Sequence, residues 1–346
     1  MFSYLPQYDE LFWFLAIMIM VFWVVSETSW NPVSDVEAVR SARFFPPFPF
    51  YVGTEFETAI SKYSWADLDD TIVFKMGWFA NWNDETLASN LPILGTHHSL
   101  TYTINSVVWL FAKTQWLTLN QQLKIGVRCF DLRFKFGDDG KLHAFHDVLP
   151  LYISWAFVWR TFIDFLDTNE SECIFVIIRD ESYTNHTAVA TAAFKEVPED
   201  VIQSRFVRNL NFTTLVEVPL SQLRNKIVFV NFDGTTVMPW SDNTNFTQGS
   251  VYVSDKYSFD SSNDAYKSKV NFVRETYAGL TTKYFNIIFN SLANKSFSNS
   301  VRWNGINLRK DFLAWRKSSK QPVKGAVIMY AWVWLPQSEV VLVEFG

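Results

Sequence analysis

The sequence predicts an α/β protein with a parallel sheet or barrel at its centre. Short apolar runs bounded by turn residues recur at 92–94, 127–134, 141–145, 173–179, 226–231, 249–253, 284–289 and 325–330. Runs of that length rich in Val, Ile, Phe and Tyr read as strands. Helical patterns at 155–167, 260–279 and 308–317 fall between several of them, and such alternation favours parallel pairing. The third observation is size. At 346 residues, 49% of them hydrophobic, the chain suits one barrel with insertions as well as two domains, and core material is ample.

The first stretch is of another kind. Residues 11–25 are an unbroken apolar run of 15, short for a membrane span of about 20 residues but matched to a signal-peptide core. Val24-Val25-Ser26 suits a cleavage point, whereas Asp9 and Glu10, with no Lys or Arg before the run, do not suit a leader. A cleaved leader, an uncleaved anchor and a buried helix all remain open. Residues 1–26 are expected to be a signal peptide or signal anchor, sending the chain to the secretory pathway as a secreted or membrane-anchored protein. Five glycosylation sequons, at Asn169, Asn185, Asn211, Asn245 and Asn294, fit that route. Residues 27–76, broken by Pro32, Pro46, Pro47 and Pro49, form a lead-in with no assigned role.

Residues 81–87 have the composition of a short helix, and 103–124 of one or two helices. Trp109, Leu110 and Phe111 are consecutive, so one helical face cannot bury all three. Trp109 and Phe111 are therefore candidates for membrane contact; the competing expectation is that neighbouring elements cover them. The aromatic share, 18% with 33 Phe and 15 Trp, reads either as a Phe-rich core or as a rim touching lipid or sugar. Net charge is −5 with no basic block, which argues against nucleic acid as a partner. Cys129 and Cys173 both fall within expected strands; buried free thiols are expected, or a single bridge if those strands are adjacent.

The chemistry concentrates in 94–146. That stretch contains Gly95-Thr96-His97-His98-Ser99, then Gly126-Val127-Arg128-Cys129-Phe130-Asp131-Leu132-Arg133, then Leu142-His143-Ala144-Phe145-His146. Two histidines and an arginine near strand ends supply a base, an acid and a fixed cation, the set that phosphodiester chemistry needs. Strand alternation puts Asp131 and Arg133 on one face and Leu132 on the other. The pair reads either as structural or as a guanidinium aimed at a phosphate with bidentate geometry. His143 and His146, three apart on an extended strand, should face opposite ways, and His98, His143 and His186 are read as structural. No Cys/His cluster has zinc spacing and carboxylates do not crowd His97, so neither a metal nor any other cofactor is expected.

These motifs resemble the phosphatidylinositol-specific phospholipase C X-domain family, in its bacterial-type, metal-independent branch. That family carries Gly-Thr-His-Asp-Ser, then Gly-x-Arg-x-Phe-Asp-x-Arg, then a histidine ending the next strand. The likeness runs over most of 78–330, with further matches at Thr114-Gln115, Gln122-Leu123, Glu170-Ser171-Glu172 and Val253-Ser254-Asp255-Lys256-Tyr257. It implies an irregular TIM-type (β/α) barrel spanning 77–346, with its site at the C-terminal strand ends. It implies His97 as general base on the inositol 2-hydroxyl and His146 as general acid for the diacylglycerol oxygen. Asp131 joins that catalytic set, and Arg133 holds the phosphate where eukaryotic relatives use calcium. Arg179, Asp180 and Glu181 would meet inositol hydroxyls, as would Asp255 and Tyr257, with Tyr257 stacking on the ring. The implied partner is an inositol phospholipid at a membrane surface; the oligomeric state is left open, with a monomer expected.

The chain departs from the family pattern at three places. His98 stands where an acid follows the first histidine, Met329-Tyr330 where a late acid orients the base, and Phe232-Asp233 where an arginine assists binding. Tyr330 is then left to orient His97. Three outcomes follow from the residues: an active phosphodiesterase, a weakened member that binds inositol lipid, or a metal-dependent diesterase, which the sparse carboxylates disfavour.

Overall fold

Side-chain parity along the strands builds this fold. A computed structural model of the chain describes residues 79–104, 112–207, 214–259, 265–293 and 301–332. The expected leader or anchor, the lead-in and the pair Trp109 and Phe111 lie outside the described residues, as do Asn211 and Asn294.

Among the described residues ten strands occur: β1 (Pro92–Thr96), β2 (Val127–Phe136), β3 (Leu142–His146), β4 (Leu149–Ser154), β5 (Cys173–Asp180), β6 (Lys226–Phe229), β7 (Asn245–Gln248), β8 (Val251–Ser254), β9 (Phe285–Asn290) and β10 (Ala326–Tyr330). The α-helices are α1 (Leu119–Lys124), α2 (Trp155–Thr168), α3 (His186–Lys195), α4 (Glu199–Arg205), α5 (Leu220–Leu223), α6 (Ala265–Ala278) and α7 (Val301–Ser319). Seven strands pair in parallel in the order β8-β9-β10-β1-β2-β5-β6. No pairing joins β6 to β8 among the described residues. The sheet is therefore a barrel left open on one side, the irregular TIM-type architecture expected. Two antiparallel additions hang from it: β3 and β4 extend β2, and β7 pairs with β8.

Alternate residues divide into two apolar layers. Ile93, Cys129, Ile177, Val253, Ile287 and Val327 fill the barrel interior. Their neighbours Leu94, Phe130, Leu132, Val176 and Ile328 pack outward, in one cluster with Trp155, Val158 and Phe162 of α2. Parallel strands buried on both faces read as continuous apolar runs, which is why these strands were legible. Gly95 is required by space: a Cβ there would collide with the Met329 sulfur.

The two thiols are free and buried. Although β2 and β5 are neighbours, their register sets Cys129 beside Phe175 and Cys173 beside Lys226. Burial pushes both thiols above their ordinary range.

Several expectations are corrected. Residues 81–87 are turns and a bridge of Leu87 to Pro219, not a helix. Asp84 there pairs with Arg224 and its carbonyl accepts from Ser221 N–H, so tertiary bonds replace helical ones. Of the helical expectation over 103–124, residues 105–111 lie outside the described residues, Ala112 is helical, 113–118 are not, and α1 follows, started by a capping box of Thr118 and Gln121. The strand expected at 249–253 becomes β8, because Gly249, at φ 57°, helps turn the chain back from β7. Strands β4 and β7 and helices α3, α4 and α5 were not anticipated.

At the base of the barrel, Arg128 and Glu172 form a fully buried pair at 2.7 Å. Arg128 also donates to the Leu123 and Val127 carbonyls, and Glu172 accepts from the Phe79 N–H. Removing one member of a buried pair leaves an uncompensated charge, which costs about 3–5 kcal/mol. Glu172→Ala is expected to lower unfolding free energy by roughly that amount, measured by denaturant titration.

Lys269 of α6 is wholly buried, and its Nζ donates to the Lys256 and Phe289 carbonyls at 2.6 Å each. Burial pulls its pKa down from 10.5 to about 7. Between those values the unfolded chain keeps a proton that the folded chain has released, so this group makes stability rise with pH across that window. Lys269→Met should flatten that rise in denaturant midpoints taken between pH 7 and 10.5. An unchanged slope would refute this assignment.

Candidate active site

The site is built where β1, β2, β5 and β8 end. His97 directly follows β1, and its N–H donates to the Tyr330 carbonyl at 3.0 Å. The loop is tied from below. Gln115 Nε2 donates to the His97 and Tyr330 carbonyls at 2.9 and 2.8 Å, and Thr114 Oγ1 to the His97 carbonyl at 2.9 Å. Gln122 accepts from the Thr96 hydroxyl and donates to the Ser99 carbonyl. The Thr114-Gln115 and Gln122 signals of the sequence are thus anchors of the histidine loop.

Asp131 is the hub. Its Oδ2 lies 3.0 Å from His97 Nδ1, 3.0 Å from Arg133 Nη2 and 3.2 Å from the His98 N–H. An ionised carboxylate only accepts, so the His97 Nδ1 that faces it carries a proton, and in the neutral ring Nε2 is the acceptor. Burial alone would raise the Asp131 carboxyl; Arg133 and His97 outweigh it and hold the group far below the ordinary carboxylate range. Arg133 extends to a second carboxylate, with Nη1 at 3.5 Å from Glu181 Oε2. Glu181 Oε1 accepts from the Asp147 N–H at 2.8 Å, fixing the turn that follows His146.

The histidines come together as expected, with one addition. His98 is read from the sequence as structural; here its ring stands between the other two. It meets His97 edge-on at 4.6 Å and stacks on His146 at 4.3 Å. Burial first, then Arg133, His146 and His97, push His98 well below the ordinary histidine value. The same burial, with Arg133 and His97, lowers His146 to about 4. His143 turns the other way, to Asp139 at 3.0 Å, as alternation requires.

Beside this group lies a second polar set. Arg179 Nη2 donates to Asp242 at 2.8 Å, and its guanidinium covers the Trp240 ring at 4.8 Å. Trp240 Nε1 donates to Asp255 Oδ2 at 2.9 Å. Burial raises the Asp255 carboxyl. Tyr257 is half-buried; burial, then Asp242 and Asp255, raise its hydroxyl.

Asp180 does not join them. Parity turns it outward between Arg179 and Glu181, and its carboxylate accepts the Ser182, Thr184 and Asn185 N–H groups that lead into α3. The Tyr330 side chain is not the orienter of His97 either. It faces outward under the Arg309 guanidinium, and Asp131 fills that role from β2. Phe232 is buried against Phe194, and Asp233 caps its own turn through the Thr235 and Thr236 N–H groups. Trp240 and Asp242 were missed by sequence reasoning. Their only signal was position, in a loop after a barrel strand, where such folds place functional residues.

Among the described residues, one set of three His, Cys, Asp or Glu groups is close enough to share an ion. The donor atoms of His97, His98 and Asp131 lie within 4.8 Å of one another. No described helix is long and apolar enough to cross a membrane.

Residues 94–231 match the family model "Phosphatidylinositol-specific phospholipase C, X domain". A 1-phosphatidylinositol phosphodiesterase of Listeria monocytogenes is 32% identical over 112 residues, covering 31% of this chain. The match spans about a third of that relative's length, 34%. Among solved structures, a double mutant of the phosphatidylinositol-specific phospholipase C from Staphylococcus aureus aligns with a TM-score of 0.64 at 20% identity, over 77% of this chain and 94% of that one. The Listeria monocytogenes phosphatidylinositol-specific phospholipase C aligns with a TM-score of 0.60 at 19% identity, over 79% and 98%. At these identities the structural likeness is one of fold. Residues 94–231 thus resemble the X domain of phosphatidylinositol-specific phospholipase C, and the barrel that contains them has the fold of the bacterial enzymes.

Proposed function

We propose that this chain is a metal-independent phosphodiesterase of the phospholipase C type. It splits phosphatidylinositol, free or glycosylated, at a membrane surface and releases diacylglycerol and inositol cyclic phosphate. One observation carries the reading. A single buried carboxylate, Asp131, touches His97 and Arg133 at 3.0 Å each, and His146 stands one ring beyond. That arrangement supports a base with a fixed tautomer, a phosphate clamp and an acid in one pocket.

In this mechanism His97 Nε2 takes the proton of the inositol 2-hydroxyl as its oxygen attacks phosphorus. Arg133 bears the charge that builds on the phosphoryl oxygens. The bond to the diacylglycerol oxygen breaks, and His146 gives that oxygen a proton. Asp131 acts through His97 as a positioning residue, as the buried aspartate does in serine-protease triads. Arg179, Asp255 and Tyr257 surround the place left for the inositol ring, and Glu181 meets it through Arg133. Trp109 and Phe111 are our candidates for lipid contact, and residues 1–26 for the secretory signal or anchor. Asn185 and Asn245 are exposed for glycosylation.

A second reading, a weakened member that binds inositol lipid without turnover, draws on His98. No carboxylate hydrogen-bonds the His146 ring among the described residues, because an imidazole occupies the neighbouring position. Vesicles of labelled phosphatidylinositol in excess chelator separate the two. Cyclic product supports the phosphodiesterase; vesicle binding without product, with or without added divalent metal, supports the binder.

For the active chain, His97→Asn and His146→Asn should each cut kcat by roughly 10²–10⁴-fold, the usual contribution of a positioned proton donor or acceptor. Arg133→Lys should cost about 10²-fold in kcat, since an ammonium cannot reproduce the planar fork on Asp131 and phosphate. Wild-type turnover in Arg133→Lys would remove the clamp from the mechanism.

A further inference from the structure

We propose that Lys269 is a positioning residue for the inositol-binding loop, which it ties to β9, given the reading above of Asp255 and Tyr257. Lys269 lies on α6, outside the pocket, and is wholly buried. A charge in that setting is costly, whereas Val270 and Val273 beside it pack as ordinary core. An apolar side chain would serve the helix better, so the amine is kept for what it touches.

It touches two carbonyls. Strands β8 and β9 pair as far as Ser254 opposite Ile288 and then separate. Across that gap Nζ donates to the Lys256 and Phe289 carbonyls at 2.6 Å each. Lys256 stands between Asp255 and Tyr257 in the chain. The Phe289 ring meets His97 edge-on at 5.5 Å and Trp240 at 5.8 Å, and Trp240 in turn donates to Asp255. One ammonium thus joins the loop that carries Asp255 and Tyr257 to the residue packed against His97. The loop has other ties. The Asp255 N–H donates to the Thr244 carbonyl, the Tyr257 and Ser258 N–H groups to Asn243 Oδ1, and the Ala293 N–H to the Tyr257 carbonyl. These leave the Lys256 carbonyl to Lys269.

Burial pulls the Lys269 amine down to about 7, against Asp255 just after β8, which favours the ammonium; Lys256 adds to the fall. From α7 comes apolar packing, with Leu308 in one cluster with Val270. The charged amine grips its two carbonyls by charge-assisted bonds, and the neutral amine donates more weakly. Releasing the proton favours the fold as a whole but loosens the loop. Affinity for an inositol headgroup should therefore fall as pH rises through about 7. By reciprocity, headgroup binding should draw a proton onto the chain.

Two measurements test this. Amide exchange read by mass spectrometry over residues 255–258, corrected for the intrinsic effect of pH, needs no ligand. In the unaltered chain protection there should drop about tenfold between about pH 6 and about pH 9, while that of β2 holds. Calorimetric titration with glycerophosphoinositol should show affinity falling by a similar factor. Lys269→Met should bind that headgroup about tenfold more weakly at the lower pH and lose most of the fall. In an active chain the same variant should raise KM and spare kcat. A role in stability alone would leave KM and its pH profile unmoved. Loop protection that ignores pH in the unaltered chain, or a folded Lys269→Met with unaltered headgroup affinity and pH profile, would overturn the proposal. The unaltered chain decides even if Lys269→Met does not fold. A loop that responds as stated, in a chain that binds no glycerophosphoinositol, leaves the tie standing and sinks the inositol reading.

Discussion

One carboxylate in a dry place organises this site. Asp131 is 1% exposed, yet it accepts from an imidazole, a guanidinium and a backbone N–H. Burying that charge is tolerable only because all these partners arrive together. The same requirement fixes them: His97 is held in one tautomer, Arg133 in one orientation, and the His98 backbone in a conformation it would otherwise avoid. Charge neutralisation and the geometry of the cluster are here one problem with one solution.

The barrel makes that solution possible by dividing labour along each strand. Inward positions low in the barrel carry Ile93, Cys129, Phe175 and Val327 and pack as core. The next inward positions toward the C-terminal ends carry Asp131, Arg133 and Arg179. The polar cluster therefore rests on a closely packed floor, and Gly95 lets β1 approach β10 where a side chain would force them apart. Arg128 and Glu172 repeat the principle at the opposite end, with no chemistry attached.

How much of this was legible follows from whether a feature is local. Asp131, Arg133, His97 and His146 were readable because strand period and loop glycines act within a few residues. The same period, applied to Arg179-Asp180-Glu181, would have turned Asp180 away; motif resemblance overrode it. Trp240 and Asp242 meet Arg179 across more than sixty residues, a contact no local pattern encodes. Asp131 as orienter was hidden because the family pattern points to a late strand, while this chain draws the acid from β2. β7 is polar and largely exposed, so it offered no apolar period, and β4 contains Pro150 and a left-handed Tyr152 that mimic a loop. α3 is rich in alanine, which blurs its helical stripe.

Among the described residues the hairpin of β3 and β4 pairs with the barrel sheet along the last residues of β2, from Phe134 to Phe136. His146 rides on that hairpin, whereas His97 and Arg133 ride on the barrel, and Glu181 tethers the two through Asp147. The spacing between the His97 and His146 imidazoles is thus set by a small appendage. Changes in that appendage can alter the gap between the two rings while the main scaffold is left untouched.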